Sequence, residues 1–304
     1  MIIGFLTCPG TAPDSDNRRT DAFEHDLQVA ALRPAFEAEG MALREIDWRA
    51  DLTQFGGMDA VLIGTAWDYQ DYEAEFLAKL DVLAASGITV CNAPGTVRWN
   101  ARKTYLQELA KSGAATIPTL WCDRLAAAEL KSAFAALDSD ALVIKRQVGA
   151  NAEGQHLVSK DVPVPRDWHL DMPVMVQPFL PAIGESGEIS FLFIDGEFSH
   201  ALVKRPAHGD YRVQSSYGGT EKAYAPTGSE IAEASSIVAA IPHGTPLYAR
   251  IDMVRGPDDR MLLMEAELIE PFLYPVQGPE LGPRMARGVK RRLAAAAKPP
   301  CQKQ

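Results

Sequence analysis

Three carboxylates stand close together in the last quarter of the chain: Asp252 in Tyr248-Ala-Arg-Ile-Asp-Met-Val254, then Glu265 and Glu267 in Met261-Leu-Leu-Met-Glu-Ala-Glu267. Both segments read as strands, and Gly256-Pro257-Asp258-Asp259 between them is turn chemistry, so a hairpin is expected. Residues two apart in a strand share a face, which aligns Glu265 with Glu267, and the hairpin brings Asp252 beside them. Acids flanked by Ile251, Val254, Leu262, Leu263 and Met264 are costly to bury unpaired. A hard divalent cation relieves that repulsion; magnesium bridging nucleotide phosphates fits best, with manganese as the alternative ion. The competing reading places the same acids on a solvent-facing strand edge, and pattern alone leaves both open.

Candidate phosphate groups are fewer. Lys145 ends the apolar strand Ala-Leu-Val-Ile-Lys and precedes a turn containing Gly149 and Gly154, where an ammonium and backbone N–H groups together can cradle phosphate oxygens. This is no Walker A loop, because neither glycine is followed by Lys-Ser or Lys-Thr. Lys103, after Trp99-Asn100, reads by itself as a surface charge at the start of a helix. Met175-Val-Gln177-Pro-Phe179-Leu180-Pro181 is a strand broken by two prolines, which leaves N–H and C=O groups able to read an adenine edge or simply marks a strand exit. Lys204-Arg-Pro leads through Arg212 to Gly218-Gly219, a basic, glycine-containing loop suited to binding an anion, with Arg212 able to make a bidentate contact. The six histidines show no metal spacing, and no serine occupies a Gly-x-Ser-x-Gly elbow.

The elements that must position these groups fall into two patterns. Ile2–Thr7, Leu43–Asp47, Ala60–Gly64 and Thr89–Cys91 read as strands, alternating with helices over Asp21–Gly40 (apolar at Leu27, Ala31, Leu32 and Phe36) and Glu73–Ser86; a parallel sheet covered by helices follows. A helix is expected over Asn100–Ser112. From Leu142 the chain turns strand-rich, with hairpins at Asp195-Gly196 and Gly256–Asp259. The fold class is therefore α/β plus α+β: an N-terminal lobe over 1–98, a body over 99–285 and a basic tail over 286–304 with frayed last residues.

A formal net charge of −10 over 304 residues disfavours nucleic acid and anionic membranes as partners. Cys8, Cys91, Cys122 and Cys301 are scattered, which suits reduced thiols, and no apolar run is long enough for a membrane helix; a cytoplasmic enzyme is expected, its oligomeric state not readable.

Taken together, over about 95–275, the chain resembles the ATP-grasp superfamily, with an ATP-binding domain of the prokaryotic glutathione synthetase type, and within it is most similar to the O-ureido-serine cyclo-ligase group of cycloserine biosynthesis. The residues carrying the likeness are Thr65-Ala-Trp67-Asp68-Tyr69, Arg98-Trp-Asn-x-x-Lys103-x-Tyr105-Leu106, the Lys204-Arg-Pro to Gly218-Gly219 run and Glu265-x-Glu-x-x-Glu-Pro271. The resemblance implies an ATP-grasp fold: the parallel lobe, a small lid over about 113–180 and a mainly antiparallel lobe over about 181–285. It makes Lys103 and Lys145 the nucleotide-phosphate lysines, with Lys204 also near the nucleotide. It puts Gln177, Phe179 and Leu180 at the adenine, and Glu188 at the ribose with Glu185 competing. Arg212 holds an acyl phosphate, and Asp252, Glu265 and Glu267 hold the metal. Substrate contacts are expected at Trp67, Asp68, Tyr69, Gly218, Gly219 and the loop Cys8–Arg19. Glutathione synthetases have Asn at the position of Glu267 and a more glycine-rich lid, so ATP and magnesium carry over and the substrate does not. The activity implied is amide formation on a small amino-acid-like carboxylate with an amine, ring closure included. Addition of an amino acid to a peptide or protein, and a nucleotide-binding regulator without turnover, are the other readings.

Overall fold

A computed structural model describes residues 1–149 and 154–297. The middle of the expected lid turn, 150–153, and the end of the tail with Cys301 lie outside the described residues.

The N-terminal lobe is a parallel sheet of β1 (Ile2–Thr7), β2 (Ala42–Asp47), β3 (Ala60–Thr65) and β4 (Thr89–Cys91), ordered β2-β1-β3-β4 and flanked by α1 (Ala22–Ala38) and α2 (Glu73–Ala85). Strand β3 is buried at every position, as a strand covered on both faces must be. Leu32 and Phe36 of α1 are in the core as expected, whereas Leu27 is exposed.

The single helix expected over Asn100–Ser112 is instead two, α3 (Pro94–Asn100) and α4 (Tyr105–Lys111). The chain breaks because the backbone N–H of Lys103 donates out to the Gln147 carbonyl (2.8 Å), which is incompatible with an uninterrupted helical ladder.

Next comes a small layer: β5 (Leu120–Cys122), the short β6 (Leu125–Ala126), α5 (Ala127–Ala136), β7 (Ala141–Arg146), β8 (His156–Ser159), the short β9 (His169–Leu170) and β10 (Val174–Pro178). Its main sheet is antiparallel, ordered β5-β10-β7-β8, with α5 packed on it through Leu130, Ala133 and Phe134. After a one-turn helix α6 (Ala182–Glu185) comes the largest sheet among the described residues: β11 (Glu188–Ile194), β12 (Glu197–Arg205), β13 (Thr220–Tyr224), β14 (Tyr248–Arg255) and β15 (Met261–Glu267), all antiparallel in the order β13-β12-β11-β14-β15. Both hairpins expected from turn chemistry are present, β11–β12 and β14–β15.

One face of this sheet, with Ile189, Phe191, Ile251, Met253 and Ala266, is covered by α4 and by α7 (Gly228–Ala239). The other face is divided. Its far half, Leu192, Ile194, Leu202 and Tyr248, joins the core of the N-terminal lobe, and its near half carries the charged residues described below. The two sheets are locked by polar contacts: Asn92 Nδ2 donates to the carbonyls of Tyr248 and Leu268 (2.9 Å each), and Tyr248 Oη donates to those of Ile63 and Ile269 (2.9 and 2.8 Å).

The expected tail does not begin at 286. Leu281–Ala296 is one helix, α8, whose Leu281, Met285, Ala286 and Val289 are buried in that shared core against α1. Its amphipathic period is hidden in sequence by the basic residues of its outer face. At the crossing with α1, a Cβ on Gly282 would stand 2.3 Å from the Ala31 carbonyl oxygen and 2.9 Å from the Ala35 Cβ. Gly282→Ala therefore forces the helices apart and is expected to destabilise the protein by about 1–3 kcal/mol, read as a lower midpoint in urea or thermal unfolding; an unchanged midpoint would mean that α8 is not fixed there.

Candidate active site

The charged half of the sheet face is built by register. Glu188 of β11 lies opposite Lys204 of β12, Ser190 opposite Asp252, Asp252 opposite Glu265, and Arg250 opposite Glu267. A bulge in β15 makes this possible. Asp252 pairs with Glu265 but Met253 pairs with Leu263, so Met264 has no opposite number. Without that extra residue, strand alternation would turn Glu265 and Glu267 onto the apolar face beside Leu263 and Met253.

The loop between α3 and α4 is tied to the same strand. Asn100 Nδ2 donates to the Ala266 carbonyl (2.7 Å), Asn100 Oδ1 accepts from Leu268 N–H (3.0 Å), and Tyr105 Oη accepts from Ala266 N–H (2.9 Å). These clamps deliver Lys103 to an ion pair with Glu265. The Asn100-x-x-Lys103-x-Tyr105 spacing thus has a structural cause: two residues grip β15 so that the third reaches its glutamate.

Above this floor, between the sheet and the small layer, is a cleft with roughly 1600 Å³ of atom-free space, part of it open to solvent. Lys103, Lys145, Gln177, Phe179, Leu180, Glu188, Lys204, Arg212, Asp252, Glu265 and Glu267 all line it. Trp67 lines it too, its indole N–H donating to the Glu270 carbonyl (3.1 Å).

Most of the charges are already engaged. Arg250 holds Asp252 through Nε and Nη2 (3.0–3.1 Å) and also binds Glu267. Ser190 Oγ donates to Asp252 (2.5 Å), and Lys204 pairs with Glu188 and lies 3.5 Å from Asp252. Burial alone would strip Lys204 of its proton, but Asp252 and Glu188 outweigh it and hold the ammonium charged. Burial likewise opposes ionisation of Asp252, and the Arg250 and Lys204 cations overcome it. Glu267 differs: burial, with help from Asp252 and Glu265 and against the pull of Arg250, pushes its carboxyl up to about 7.

Lys145 differs from these cations. Its side chain makes no hydrogen bond or ion pair among the described residues, and burial draws its ammonium below the usual lysine range despite the opposing field of Glu265. Arg212 is parked: Asp210 holds it through Nε and Nη2 (3.1 and 2.8 Å), and its guanidinium lies 3.7 Å from the Tyr217 ring centroid.

At the exit of β10, Phe179 N–H donates to the Ala141 carbonyl (2.8 Å), while the Phe179 carbonyl and the Leu180 N–H make no hydrogen bond among the described residues. A neighbouring acceptor and donor facing a cleft between apolar side chains is what the edge of a purine needs. One amide N–H of Gln177 is engaged, donating to Thr119 Oγ1 (3.0 Å).

Several expected substrate contacts are elsewhere. Asp68 accepts from Trp48 Nε1 (2.7 Å) and pairs with Arg49, and Tyr69 is buried with its ring 5.1 Å from that of Phe76; neither lines the cleft. Next to a cleft residue such as Trp67, side chains leaving a strand point in other directions. Gly218 and Gly219 do not line it either. Gly219 serves the backbone, since a Cβ there would fall 2.0 Å from the Val213 carbonyl oxygen. The loop Cys8–Arg19 stops short; the first turn of α1 takes its place with Asp21 and Glu24. Glu185 is exposed on α6 and away from the cleft. Sequence reasoning also passed over Arg250, although it stands two residues from Asp252, and over Glu24 and Glu221, isolated acids with no pattern to mark them; Glu270 entered only as part of the Glu265-to-Pro271 run, without a role.

No three acids, histidines or cysteines converge into a ready metal cage among the described residues. The donor set still suits magnesium, which is commonly held by one or two carboxylates with substrate phosphates completing the shell. A cation at Glu267 would also offset the burial, and the repulsion from Asp252 and Glu265, that raise its carboxyl.

The same architecture occurs in proteins already solved. The crystal structure of D-cycloserine synthetase DcsG superimposes with a TM-score of 0.80 at 24% identity, covering 96% of this chain and all of that one. D-alanine–D-alanine ligase from Bacillus anthracis gives 0.65 at 16% identity over 97% of each chain. The chain has the ATP-grasp fold. It also matches the family described as D-cycloserine synthetase DcsG, N-terminal domain, over residues 3–92. Its sequence is 26% identical to the cycloserine biosynthesis protein DcsG of Streptomyces lavendulae over 293 residues, 88% of this chain and 94% of that one. The cleft lies beneath the β5-β10-β7-β8 layer. No helix among the described residues is long and apolar enough to cross a membrane.

Proposed function

We propose that this ATP-grasp ligase joins a small amino-acid-like carboxylate to an amine through an acyl phosphate, using ATP and magnesium. The reading rests on one juxtaposition: Lys145, an ammonium without an ion pair among the described residues, shares a cleft with the carboxylates Asp252, Glu265 and Glu267. A triphosphate supplies the anion that Lys145 lacks, and the free Phe179 carbonyl and Leu180 N–H accept the adenine. Glu188 lines the cleft and is the ribose contact in this reading, once Lys204 shares it.

Asp252, Glu265 and Glu267 would hold the metal, which when bound neutralises phosphate charge and lowers the barrier to attack at the γ-phosphorus. Lys103 and Lys145 hold the remaining phosphate oxygens. The substrate carboxylate attacks the γ-phosphorus and ADP leaves; the amine nitrogen then forms a bond to the acyl carbon, whose bond to the phosphate oxygen breaks. Of the cleft-lining guanidinium groups Arg146, Arg212 and Arg250, Arg250 and Arg212 steady that phosphate in this reading, Arg212 by exchanging Asp210 for it. Most of the acceleration is positioning and charge stabilisation. A closed lid keeps water from the acyl phosphate. Similarity to a cycloserine biosynthesis protein favours ring closure within one substrate molecule.

Phosphate release from ATP, measured with a panel of small amino acids and with hydroxylamine as a trap, tests the reading. Release and a hydroxamate with a small amino acid are the expected result. No release with any member of the panel would overturn it.

A further inference from the structure

We propose that Glu24, with Glu221 facing it, receives the substrate's ammonium group, so that the acid activated in this cleft is a free amino acid. The inference rests on the ligase reading above and names its substrate class.

Glu24 stands on the first turn of α1, in the N-terminal lobe, and Glu221 stands on β13, in the other; both line the cleft. The Glu24 carboxylate, which can accept about four hydrogen bonds, accepts one, from Ser215 Oγ at 2.9 Å. Glu221 makes no hydrogen bond or ion pair among the described residues. The cations whose fields reach these two acids have other partners: Arg250 binds Asp252 and Glu267, and Lys204 binds Glu188. Asp21, the remaining acid beside Glu24, is tied to Arg19.

Two carboxylates on independent elements thus line one cavity, and neither has an ion pair among the described residues. Burial raises both; for Glu24, burial, with the nearby Glu221 and Asp21 adding to it, outweighs the Ser215 bond and Arg250 and carries the carboxyl to about 7. Ionised acids in such a place are stable only with a cation supplied from outside the chain. An alkylammonium group suits this site, because its N–H donors match the open acceptor positions on Glu24 and Glu221. The phosphate-binding cations of the same cleft draw the other end of the ligand, its carboxylate, the opposite way. A molecule carrying both charges is oriented by both.

The test compares phosphate release by the wild-type protein with each amino acid and with its N-acetylated and des-amino counterparts, then repeats this with Glu24→Gln and Glu221→Gln. The wild type is expected to turn over only the free amino acids. Glu24→Gln should lower kcat/KM for them by about 10- to 150-fold, the worth of a charge-assisted hydrogen bond, through KM for the amino acid and with KM for ATP unchanged. Glu221→Gln should act in the same direction and decides the matter if Glu24→Gln does not fold. Equal use of N-acetylated or des-amino acids by the wild type, or an equal loss for every acid in the variants, overturns this inference and leaves the ligase reading standing. No turnover with any acid overturns both.

Discussion

Replacing Lys145 by alanine is expected to reduce ATP turnover about 100- to 1000-fold, the usual loss when one fixed cation or donor is removed from a developing charge, while leaving the protein as stable as before or more so. The two halves of that expectation have one cause. Lys145 is half-buried near the end of β7, its ammonium end enclosed without an ion pair among the described residues, so its charge is destabilised by burial. A lysine whose pKa falls on folding binds fewer protons in the native state than in the unfolded one. Stability then rises with pH through the depressed pKa, and at neutral pH the charged side chain subtracts from stability. Alanine removes that unfavourable term. A residue kept despite it is retained for what binds there. Stopped assays of phosphate release with thermal melts on the same samples check both halves. A variant with near wild-type turnover, or one that simply unfolds, would contradict the placing of Lys145 on the triphosphate.

Much of this site could be read in the sequence because it lies on regular elements. Asp252, Glu265 and Glu267 declared themselves by strand alternation and a turn, and Lys145 by its place at the end of an apolar run. The two prolines around Phe179 and Leu180 announced an interrupted ladder, and the free carbonyl and N–H are there. What alternation cannot reveal is the unpaired Met264, which reverses the parity of β15 and turns the glutamates toward the cleft. A bulge leaves no mark in composition.

Lys103 was harder for another reason. Its neighbours Asn100 and Tyr105 act through backbone groups of a strand more than 160 positions away, and such pairings have no local signal. The first turn of α1 shows the same limit from the other side. In an amphipathic helix Glu24 looks like any solvent-facing acid, and only the arrival of the Arg212 loop, through Ser215, encloses it. Asp68 and Tyr69 failed in the opposite way: proximity to Trp67 in sequence suggested a shared task, yet one is spent on Trp48 and Arg49 and the other on Phe76. The segment from 286 looked like a tail because its arginines and lysines dominate the composition, although the buried stripe runs through Met285, Ala286 and Val289.

Removing divalent cations should abolish phosphate release, and Asp252→Asn should reproduce that loss with magnesium present. The acid is fully enclosed, with Ser190, Arg250 and Lys204 about it. Its pKa is lowered on folding, so its contribution is present above the unfolded value near 4 and is lost as pH falls through the folded one. Asparagine leaves Arg250 and Lys204 short of negative charge, and uncompensated buried ions of this kind cost about 3–5 kcal/mol. A fall in melting temperature is therefore expected along with the loss of activity, and activity alone would not separate a ligand from a structural anion. Glu265→Gln does separate them. Glu265 is the more exposed acid and its partner Lys103 can turn to the phosphates, so the melting temperature should hardly move. If it serves the metal, the magnesium concentration for half-maximal turnover should rise by about tenfold or more, as for weakened metal sites generally. A Glu265→Gln protein with unchanged magnesium dependence would remove that acid from the ligand set, leaving it the anchor of Lys103.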